Sequence, residues 1–427
     1  MRVVVVGAGF AGLSAGVRIA KVRHHDVTLL ESSERVGGRL RRIEGRWAHA
    51  PETFTLPGVV RDLFRKSGRP LERHLDLIHP EPRSHVFVHD QQTERLDLPC
   101  GRRGDQHDAI SALTGADEWS PWLDSLDPLW DPLRRDVIEK VLVGPPSHIL
   151  PRKLRRTLRL STSLHQLTRA GLTDERLRAM VFDPHLLAGQ DPRYVPGVAA
   201  LSHLLERRFA RWTCGEDGIE VGLEPLADVL EQRLVERRID LRTSTPVDDV
   251  TRDGQRVTGV VLSDGSTIEA DHVLWCAPEL PSSLIAPAVE RITPPTHTLV
   301  QLADPEALPH DLWVHGQVPL HAWAGAPGHW TLAHTSGADP LKLLAAAGFD
   351  VADRIEESRI LTPAHLMATG HSGWRLAPRW RSRWKSLLDR PGVNPPPGIT
   401  FAGAGAQWGP SLELIGMTTA IQVDYLS

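Results

Sequence analysis

Residues 2–39 read RVVVVGAGFAGLSAGVRIAKVRHHDVTLLESSERVGGR, and this stretch decides the fold. The apolar, β-branched residues 3–6 predict a buried parallel strand. Gly7, Gly9 and Gly12 follow at the G-x-G-x-x-G spacing. Such glycines allow a tight turn, a close approach of backbone to a pyrophosphate, and close packing of the next helix on the strand. The pattern therefore predicts a dinucleotide site at the N-terminus of the following helix.

A second predicted strand, residues 26–30, ends in Glu31. This acid lies about 20 residues beyond the glycines, where a carboxylate can accept hydrogen bonds from the ribose hydroxyls of the adenosine half. The same carboxylate would repel a 2′-phosphate, so the sequence argues against NADP at this site.

The residues after this acid carry a further motif. Residues 31–39, ESSERVGGR, resemble the E…GGR signature of the two-dinucleotide FAD oxidoreductases, the amine oxidase and phytoene desaturase superfamily. The resemblance implies that FAD is the cofactor. Arg39 would supply a fixed fork of donors beside its phosphates.

The C-terminal region supplies a second resemblance. Residues 400–417, TFAGAGAQWGPSLELIGM, are similar to the segment that closes on the flavin end of FAD in this superfamily. Many members have an acid after the Ala-Gly pair, whereas this chain has Ala404. Bacterial phytoene desaturases and their relatives also lack the acid, so the resemblance is to that branch. Gly403 and Gly405 match their pattern, while residues 407–408, Gln-Trp, replace a His-Pro pair.

Residues 46–57, RWAHAPETFTLP, also resemble a flavin-side segment of these desaturases. Ala48, Ala50 and Glu52 replace the Asp, Gly and Thr of that segment. A shorter likeness covers residues 360–365, ILTPAH. The resemblance is therefore specific for FAD and for the fold, and much less specific for the substrate.

The resemblance implies an α/β fold with a Rossmann-type, two-dinucleotide-binding FAD domain of the glutathione reductase kind. A discontinuous α+β substrate domain would accompany it, and 427 residues suit two domains. We expect residues 1–70, 215–290 and 391–427 to form the FAD domain, and residues 71–214 and 291–390 to form the substrate domain.

Local patterns predict several further elements. Residues 84–88 and 95–98 alternate like a hairpin, and residues 118–210 are mostly helical in pattern. Residues 225–237 show helical apolar spacing, and residues 247–275 resemble a four-stranded meander of the superfamily.

The cofactor contacts that the resemblance implies fall within these motifs. The backbone at Val247 would meet the adenine, and Cys276 would be a small buried residue at the cofactor. The predicted cofactor-binding residues are Gly7, Gly9, Phe10, Ala11, Gly12, Glu31, Ser32, Gly38, Arg39, Leu40, Ala50, Pro51, Val247, Cys276, Gly403, Ala404, Gly405 and Leu412.

Glu52 is the side chain that we select as a candidate base. The segment around it resembles one that approaches the flavin, and burial beside a flavin would raise the pKa of a carboxyl and let it accept a proton. The alternative is that Glu52 accepts hydrogen bonds from the N-terminus of the following helix.

The sequence therefore predicts an FAD-dependent oxidoreductase that desaturates or dehydrogenates a large apolar, isoprenoid or polyene-like molecule by hydride transfer to flavin N5. One alternative is a flavin amine oxidase, although the two tyrosines of the chain, Tyr194 and Tyr425, argue against a two-tyrosine aromatic cage. The other is a flavin-binding protein that has lost redox catalysis.

Composition bears on partners and location. A net charge of −4 gives no sign of nucleic-acid binding, and three scattered cysteines exclude a disulfide scaffold or a cysteine-rich zinc site. We expect no metal and a cytoplasmic location, because no signal peptide precedes the first strand and no apolar run approaches the ~20 residues of a spanning helix. Residues 151–160 place Leu154 and Leu158 on one face of a basic helix, which fits peripheral contact with an anionic membrane or a solvated surface helix.

Overall fold

The computed structural model describes residues 1–20, 25–90, 92–284, 293–369, 388, 392–403 and 411–426. The strands, in chain order, are β1 (Arg2–Val6), β2 (Asp26–Leu30), β3 (Asp76–Ile78), β4 (Arg83–His89), β5 (Gln92–Leu98), β6 (Thr213–Glu216), β7 (Ile219–Gly222), β8 (Asp240–Arg242), β9 (Val247–Asp253), β10 (Arg256–Leu262), β11 (Thr267–Glu269), β12 (His272–Trp275), β13 (Thr296–Leu302), β14 (Asp311–His315), β15 (Leu320–Ala324), β16 (His329–His334), β17 (Ile355–Leu361) and β18 (Ile399–Phe401).

The helices fall between these strands and after the last one. They are α1 (Phe10–Ile19), α2 (Pro57–Ser67), α3 (Arg103–Thr114), α4 (Trp119–Asp124), α5 (Asp127–Leu133), α6 (Pro146–Ile149), α7 (Arg152–Thr157), α8 (Leu164–Gly171), α9 (Glu175–Leu187), α10 (Leu201–Phe209), α11 (Glu224–Glu236), α12 (Pro340–Ala346), α13 (Pro363–Ala368) and α14 (Leu412–Leu426). The predicted helix at residues 225–237 is confirmed within one residue.

A five-stranded parallel sheet in the order β18-β12-β1-β2-β8 contains the predicted N-terminal strand. Every residue of α1 is buried, because α1 lies between this sheet and the helices α11 and α14. The chain builds the sheet from widely separated segments, as a discontinuous unit requires. The predicted domain boundaries themselves stay a prediction.

The predicted four-stranded meander is wrong for its last strand. β9, β10 and β11 form a three-stranded antiparallel sheet, whereas β12 joins the parallel sheet between β1 and β18. The reason is burial, since Val273, Leu274 and Trp275 are almost completely enclosed. A strand buried on both faces suits the middle of a parallel sheet and not the edge of a meander.

A seven-stranded sheet in the order β17-β13-β16-β15-β14-β4-β5 is the second large element, and it contains the predicted β4–β5 hairpin. Side chains alternate between its two faces. One face packs with α12 in an apolar core that includes Val86, Val300, Leu312, Leu320, Leu332 and Leu344. The other, which we call the polar-aromatic face, carries His85, His297, Asp311, Trp313, His315, His321 and Trp323.

Helices α3 to α10 lie between β5 and β6 in the sequence and share one apolar core, which includes Trp119, Trp122 and Trp130. Leu158 is buried in this core and Leu154 packs against it. The two leucines therefore share one face, as predicted, and this face is turned toward the core, while the outward side of α7 is basic. In the part of the chain that is described, no helix has the length and apolar character needed to cross a membrane.

Trp47 joins the N-terminal segment to the seven-stranded sheet. Its side chain is fully buried among Leu299, Leu361 and Leu366, and its indole N–H donates to the Val300 carbonyl at 2.9 Å. The backbone around Trp47 lies so close to Gly325 that a Cβ there would be 2.3 Å from a carbonyl oxygen. This contact fixes the segment that follows the GGR motif against the sheet.

We expect Trp47→Ala to lower the free energy of unfolding by ~3–5 kcal/mol, because a large buried ring is lost and a cavity remains. Urea titration followed by circular dichroism measures the change. The matched control is Ile219→Ala, because Ile219 is 70% exposed, and its effect should stay within ~0.5 kcal/mol. Equal effects of the two substitutions would show that Trp47 is not an anchor.

Candidate functional site

The glycine turn after β1 is built for a close approach of α1. Gly7 has a φ of +90°, and a Cβ on Gly12 would lie 1.8 Å from the carbonyl oxygen of Gly7. Gly9 is the N-cap of α1, and the first turn of this helix carries no acidic residue. The amide groups at the start of α1 can therefore bind an anion such as a pyrophosphate.

Glu31 organises the adjacent end of the sheet. Its Oε2 accepts from the Ala8 amide at 2.7 Å, and its Oε1 accepts from the Ser33 amide at 2.9 Å. The Glu31 carbonyl accepts from the amide of Thr245, two residues before Val247, at 2.8 Å. The hydroxyls of Ser32 and Ser33 also donate to Oε1, at 3.3 and 2.7 Å, so the lone pair that remains for a ribose hydroxyl is on Oε2.

The GGR turn lies directly against the first glycine turn. Gly37 and Gly38 have φ values of +113° and +51°, and the Gly37 amide donates to the Ala8 carbonyl at 2.8 Å. Arg39 follows, partly buried, and in the described residues its guanidinium forms no ion pair. Burial lowers the pKa of Arg39. A desolvated guanidinium without a carboxylate fits a phosphate, which can accept from both arms of its fork.

Gly403, after β18, approaches the same place from the other side of β12. It has a φ of +89°, and a Cβ there would lie 2.9 Å from the Cys276 carbonyl oxygen and 3.5 Å from the Ala11 Cβ. Burial raises the pKa of the Cys276 thiol, which therefore stays neutral. The predicted Ala404 and Gly405 lie outside the described residues, as do Gln407 and Trp408.

The remaining predicted contacts differ in exposure. Phe10, Leu40 and Leu412 are buried, and α14 packs against Phe10 and α2. Ser32 and Ala50 are exposed, and Pro51 is partly buried. Two glycine turns, a buried carboxylate and an unpaired guanidinium thus converge at the carboxyl end of β1, and they fit the phosphates and ribose of FAD.

Glu52 is held by other protein groups. Its Oε2 accepts from the Nη2 and Nε of Arg42 at 2.6 and 2.9 Å, and its Oε1 accepts from the Leu223 amide at 3.3 Å. Burial raises the pKa of Glu52, while Arg42 opposes that shift. These contacts tie the segment to the start of α11. The predicted alternative, in which Glu52 accepts hydrogen bonds from the N-terminus of the following helix α2, is not what the structure shows. Its role as a base stays a prediction.

Trp323 connects the polar-aromatic face to the segment predicted to line the flavin. Its indole N–H donates to the Ala48 carbonyl at 2.9 Å, and the Thr331 hydroxyl donates to the same oxygen at 2.8 Å. The Trp323 ring lies 5.3 Å from the His297 ring and 5.0 Å from the His321 ring. Aromatic and imidazole rings therefore lie beside residues 48–51.

The histidines at this junction are neutral at pH 7. Burial, reinforced by the Arg39 charge, lowers the pKa of His49 to about 4. Burial and the neighbouring histidines lower the pKa of His297 to about 3. Sequence reasoning missed these residues. The available signal was the alternation within β13 and β15, which places His297 and His321 on one face.

The charged side chains on and next to the polar-aromatic face are paired with one another. Asp311 Oδ2 accepts from Arg83 at 2.8 Å and from Arg211 at 2.7 Å, and Glu206 binds the same two arginines at 2.9 and 3.1 Å. Asp183, on α9, accepts from His315 at 2.7 Å. In the described part of the face, each of these carboxylates already has a partner.

Comparison with known families shows a match over residues 10–298 to the model of the flavin containing amine oxidoreductases. A hydroxyneurosporene desaturase from Cereibacter sphaeroides is 33% identical over 287 residues, which are 64% of this chain and 55% of that protein. A zeta-carotene-forming phytoene desaturase from Myxococcus xanthus is 27% identical over 66% of this chain and 54% of its own length. The matched region thus spans about half the length of these curated relatives.

Solved structures match over nearly the whole chain. An oxidoreductase from Methanosarcina mazei has a TM-score of 0.63 at 16% identity, covering 99% of this chain and 100% of its own. Cyclohexylamine oxidase from Brevibacterium oxydans has a TM-score of 0.60 at 17% identity, covering 100% and 99%. These likenesses confirm the predicted α/β fold.

We expect Glu31→Ala to weaken FAD binding by ~1.5–3 kcal/mol, because a charge-assisted hydrogen-bond pair is lost. The dissociation constant should rise by roughly 10- to 150-fold, measured by titrating flavin-free protein with FAD and following flavin fluorescence. Glu34→Ala, at an exposed position of the same loop, is the control and should bind FAD normally. Unchanged affinity in Glu31→Ala would remove Glu31 from the site.

Proposed function

Since the chain belongs to the flavin containing amine oxidoreductase family, we propose that it binds one FAD without a covalent bond and dehydrogenates a large apolar, polyene-like molecule. The observation that carries this proposal is the neutral, ring-lined surface formed by His49, His297 and Trp323 beside the dinucleotide site. The names of the curated relatives, which are carotenoid desaturases, point to the same substrate class.

The predicted flavin cofactor is confirmed by the family. In our proposal, Glu31 holds the adenosine ribose, while the first turn of α1 and Arg39 hold the pyrophosphate. The flavin then extends toward residues 48–51 and the polar-aromatic face. Bound FAD would supply the hydride acceptor, and the protein would supply binding, orientation and exclusion of water.

The electrostatics of the polar-aromatic face support an apolar substrate. Neutral imidazole and indole rings can lie against a polyene without leaving a charge unpaired, which would be costly in a closed site. Asp311 and Asp183, which could otherwise pair with a protonated amine, are already bound to Arg83, Arg211 and His315. The described residues therefore favour a polyene over an amine.

We expect phytoene to bleach the flavin absorbance of the reconstituted holoprotein under anaerobic conditions, because hydride transfer reduces the flavin. Putrescine and cyclohexylamine serve as the amine comparison and should leave the spectrum unchanged. Light-driven reduction followed by reoxidation with a quinone checks that the bound flavin is redox-competent. Rapid bleaching by amines alone would select the amine oxidase alternative. A flavin that is inert in every test would select the non-catalytic one.

We also propose peripheral contact of α7 with an anionic membrane surface. Arg152, Lys153 and Arg156 are exposed around this helix, while Leu158 is buried beneath them. Contact would therefore be electrostatic and would not involve insertion of an apolar face. A large apolar substrate partitions from water into a bilayer, so a site close to lipid would meet it at higher concentration.

We expect the combined variant R152E/K153E/R156E to bind vesicles of phosphatidylserine and phosphatidylcholine roughly 100-fold more weakly, since each basic residue near such a surface contributes ~1 kcal/mol. Cosedimentation measures the bound fraction, and raising the salt should abolish binding by wild type. The control R65E/R95E/R252E alters three exposed arginines elsewhere. Equal binding by both variants would exclude α7 as the contact.

A further inference from the structure

Asp311 and His321 form a carboxylate–imidazole pair on the polar-aromatic face. They lie on the neighbouring strands β14 and β15, and His321 Nε2 donates to Asp311 Oδ1 at 2.8 Å. Arg83 and Arg211 bind the other oxygen and hold the pKa of Asp311 well below its ordinary value. Because an ionised carboxylate only accepts, Nε2 must carry the proton of the neutral ring, and Nδ1 carries the lone pair.

The Nδ1 atom of His321 is available to a ligand. Within the described residues, the hydrogen bond to Asp311 is the one that this ring makes. His321 retains 9% of its surface exposed, and its Nδ1 atom is not fully buried. The Nδ1 lone pair is therefore not fully enclosed by the protein.

The position of the ring places it beside the proposed flavin pocket. His321 packs on Trp323, whose indole binds the Ala48 carbonyl, two residues before the predicted flavin contact Ala50. On its other side the ring stacks on Trp313, with 4.1 Å between ring centroids. Two indoles thus hold the imidazole plane, and Asp311 fixes its rotation.

We propose that His321 is the proton acceptor of this site and that Asp311 is its positioning residue. The proposal rests on the proposed dehydrogenation. Forming a carbon–carbon double bond breaks two C–H bonds on adjacent carbons. Bound FAD, in its oxidised form, would supply the acceptor for one hydrogen with its electron pair and would be reduced. The other leaves as a proton to His321 Nδ1, and its electron pair becomes the new π bond of the oxidised substrate.

The surrounding charges suit this role. The groups that face His321 are Asp311, Arg83, Arg211 and the neutral His297. Burial lowers the pKa of His321, while Asp311 opposes that shift. The imidazole is therefore neutral and able to accept a proton at neutral pH, and the adjacent carboxylate stabilises the imidazolium that results. Glu52, in contrast, is already bound by Arg42.

The first test reads the ring directly and does not require turnover. Nitrogen-15 NMR of histidine-labelled holoprotein, assigned by difference from His321→Gln, should show the Nε2–H tautomer at pH 7.5 and protonation below pH 6.5. In Asp311→Asn, which keeps the size of the side chain, the midpoint for protonation should move to lower pH. An Nδ1–H tautomer, or a cationic ring at pH 7.5, would overturn the proposal.

The second test measures anaerobic flavin bleaching by phytoene between pH 5 and 9. The wild-type rate should fall at acid pH as His321 is protonated, whereas His321→Gln should be at least ~100-fold slower and lack this acid limb. FAD affinity should not change. The control is His334→Gln, because His334 lies on the adjacent strand β16 and binds Thr298 on the opposite face; it should keep the wild-type rate and pH profile.

The outcomes separate the two proposals. A His321→Gln rate within threefold of wild type, with the acid limb intact, overturns the role of His321 and leaves the dehydrogenation standing. If phytoene does not bleach the wild-type flavin, the proposed function fails, and the proton-accepting role assigned to His321 in that reaction fails with it. The NMR result then still shows whether Asp311 positions the ring.

Discussion

The contact between the start of α1 and the end of β1 is the constraint on which the site depends. A single added carbon at Gly12 would overlap the Gly7 carbonyl, so the helix reaches this position only with glycine there. The GGR turn, Cys276 and Gly403 then pack around the same turn. Helix amides meet there with the guanidinium of Arg39, which has no ion pair among the described residues. The packing that closes the fold therefore also creates a site for a polyanion.

The burial of Trp47 is a second contact, and it places the cofactor turn next to the polar-aromatic face. Trp47 is buried in the seven-stranded sheet, and the next residue accepts hydrogen bonds from Trp323 and Thr331. The segment after the GGR motif is thereby fixed to the polar-aromatic face. One chain segment thus links the cofactor turn to the rings beside it.

The sequence predicts the parts of this structure that depend on near neighbours. The first strand, the glycine turn and the second strand that ends before Glu31 are found as predicted, because the strand–turn–helix pattern is specified by residues close in the sequence. The binding role of Glu31 stays a prediction. The prediction puts β12 in the wrong sheet, because the sequence of a strand does not show which strand it pairs with. Its burial favours the middle of the parallel sheet, between β1 and β18. Glu52 could not be judged either, since Arg42 and Leu223 reach it only through the tertiary fold. Asp311 and His321 are 10 residues apart, and only the β14–β15 register makes them partners.

The buried charges explain how the polar-aromatic face could accept the proposed apolar substrate and also contain the proposed base. An isolated carboxylate behind the rings would be costly to bury, and removing one partner of a buried pair costs ~3–5 kcal/mol. Here Arg83 and Arg211 are balanced by Asp311 and Glu206, so the cluster has no net charge. Asp311 can then orient His321 and respond to its protonation without making the resting surface ionic. In the proposed reaction the imidazole is the group that changes charge, at the point where the desaturation would release its proton.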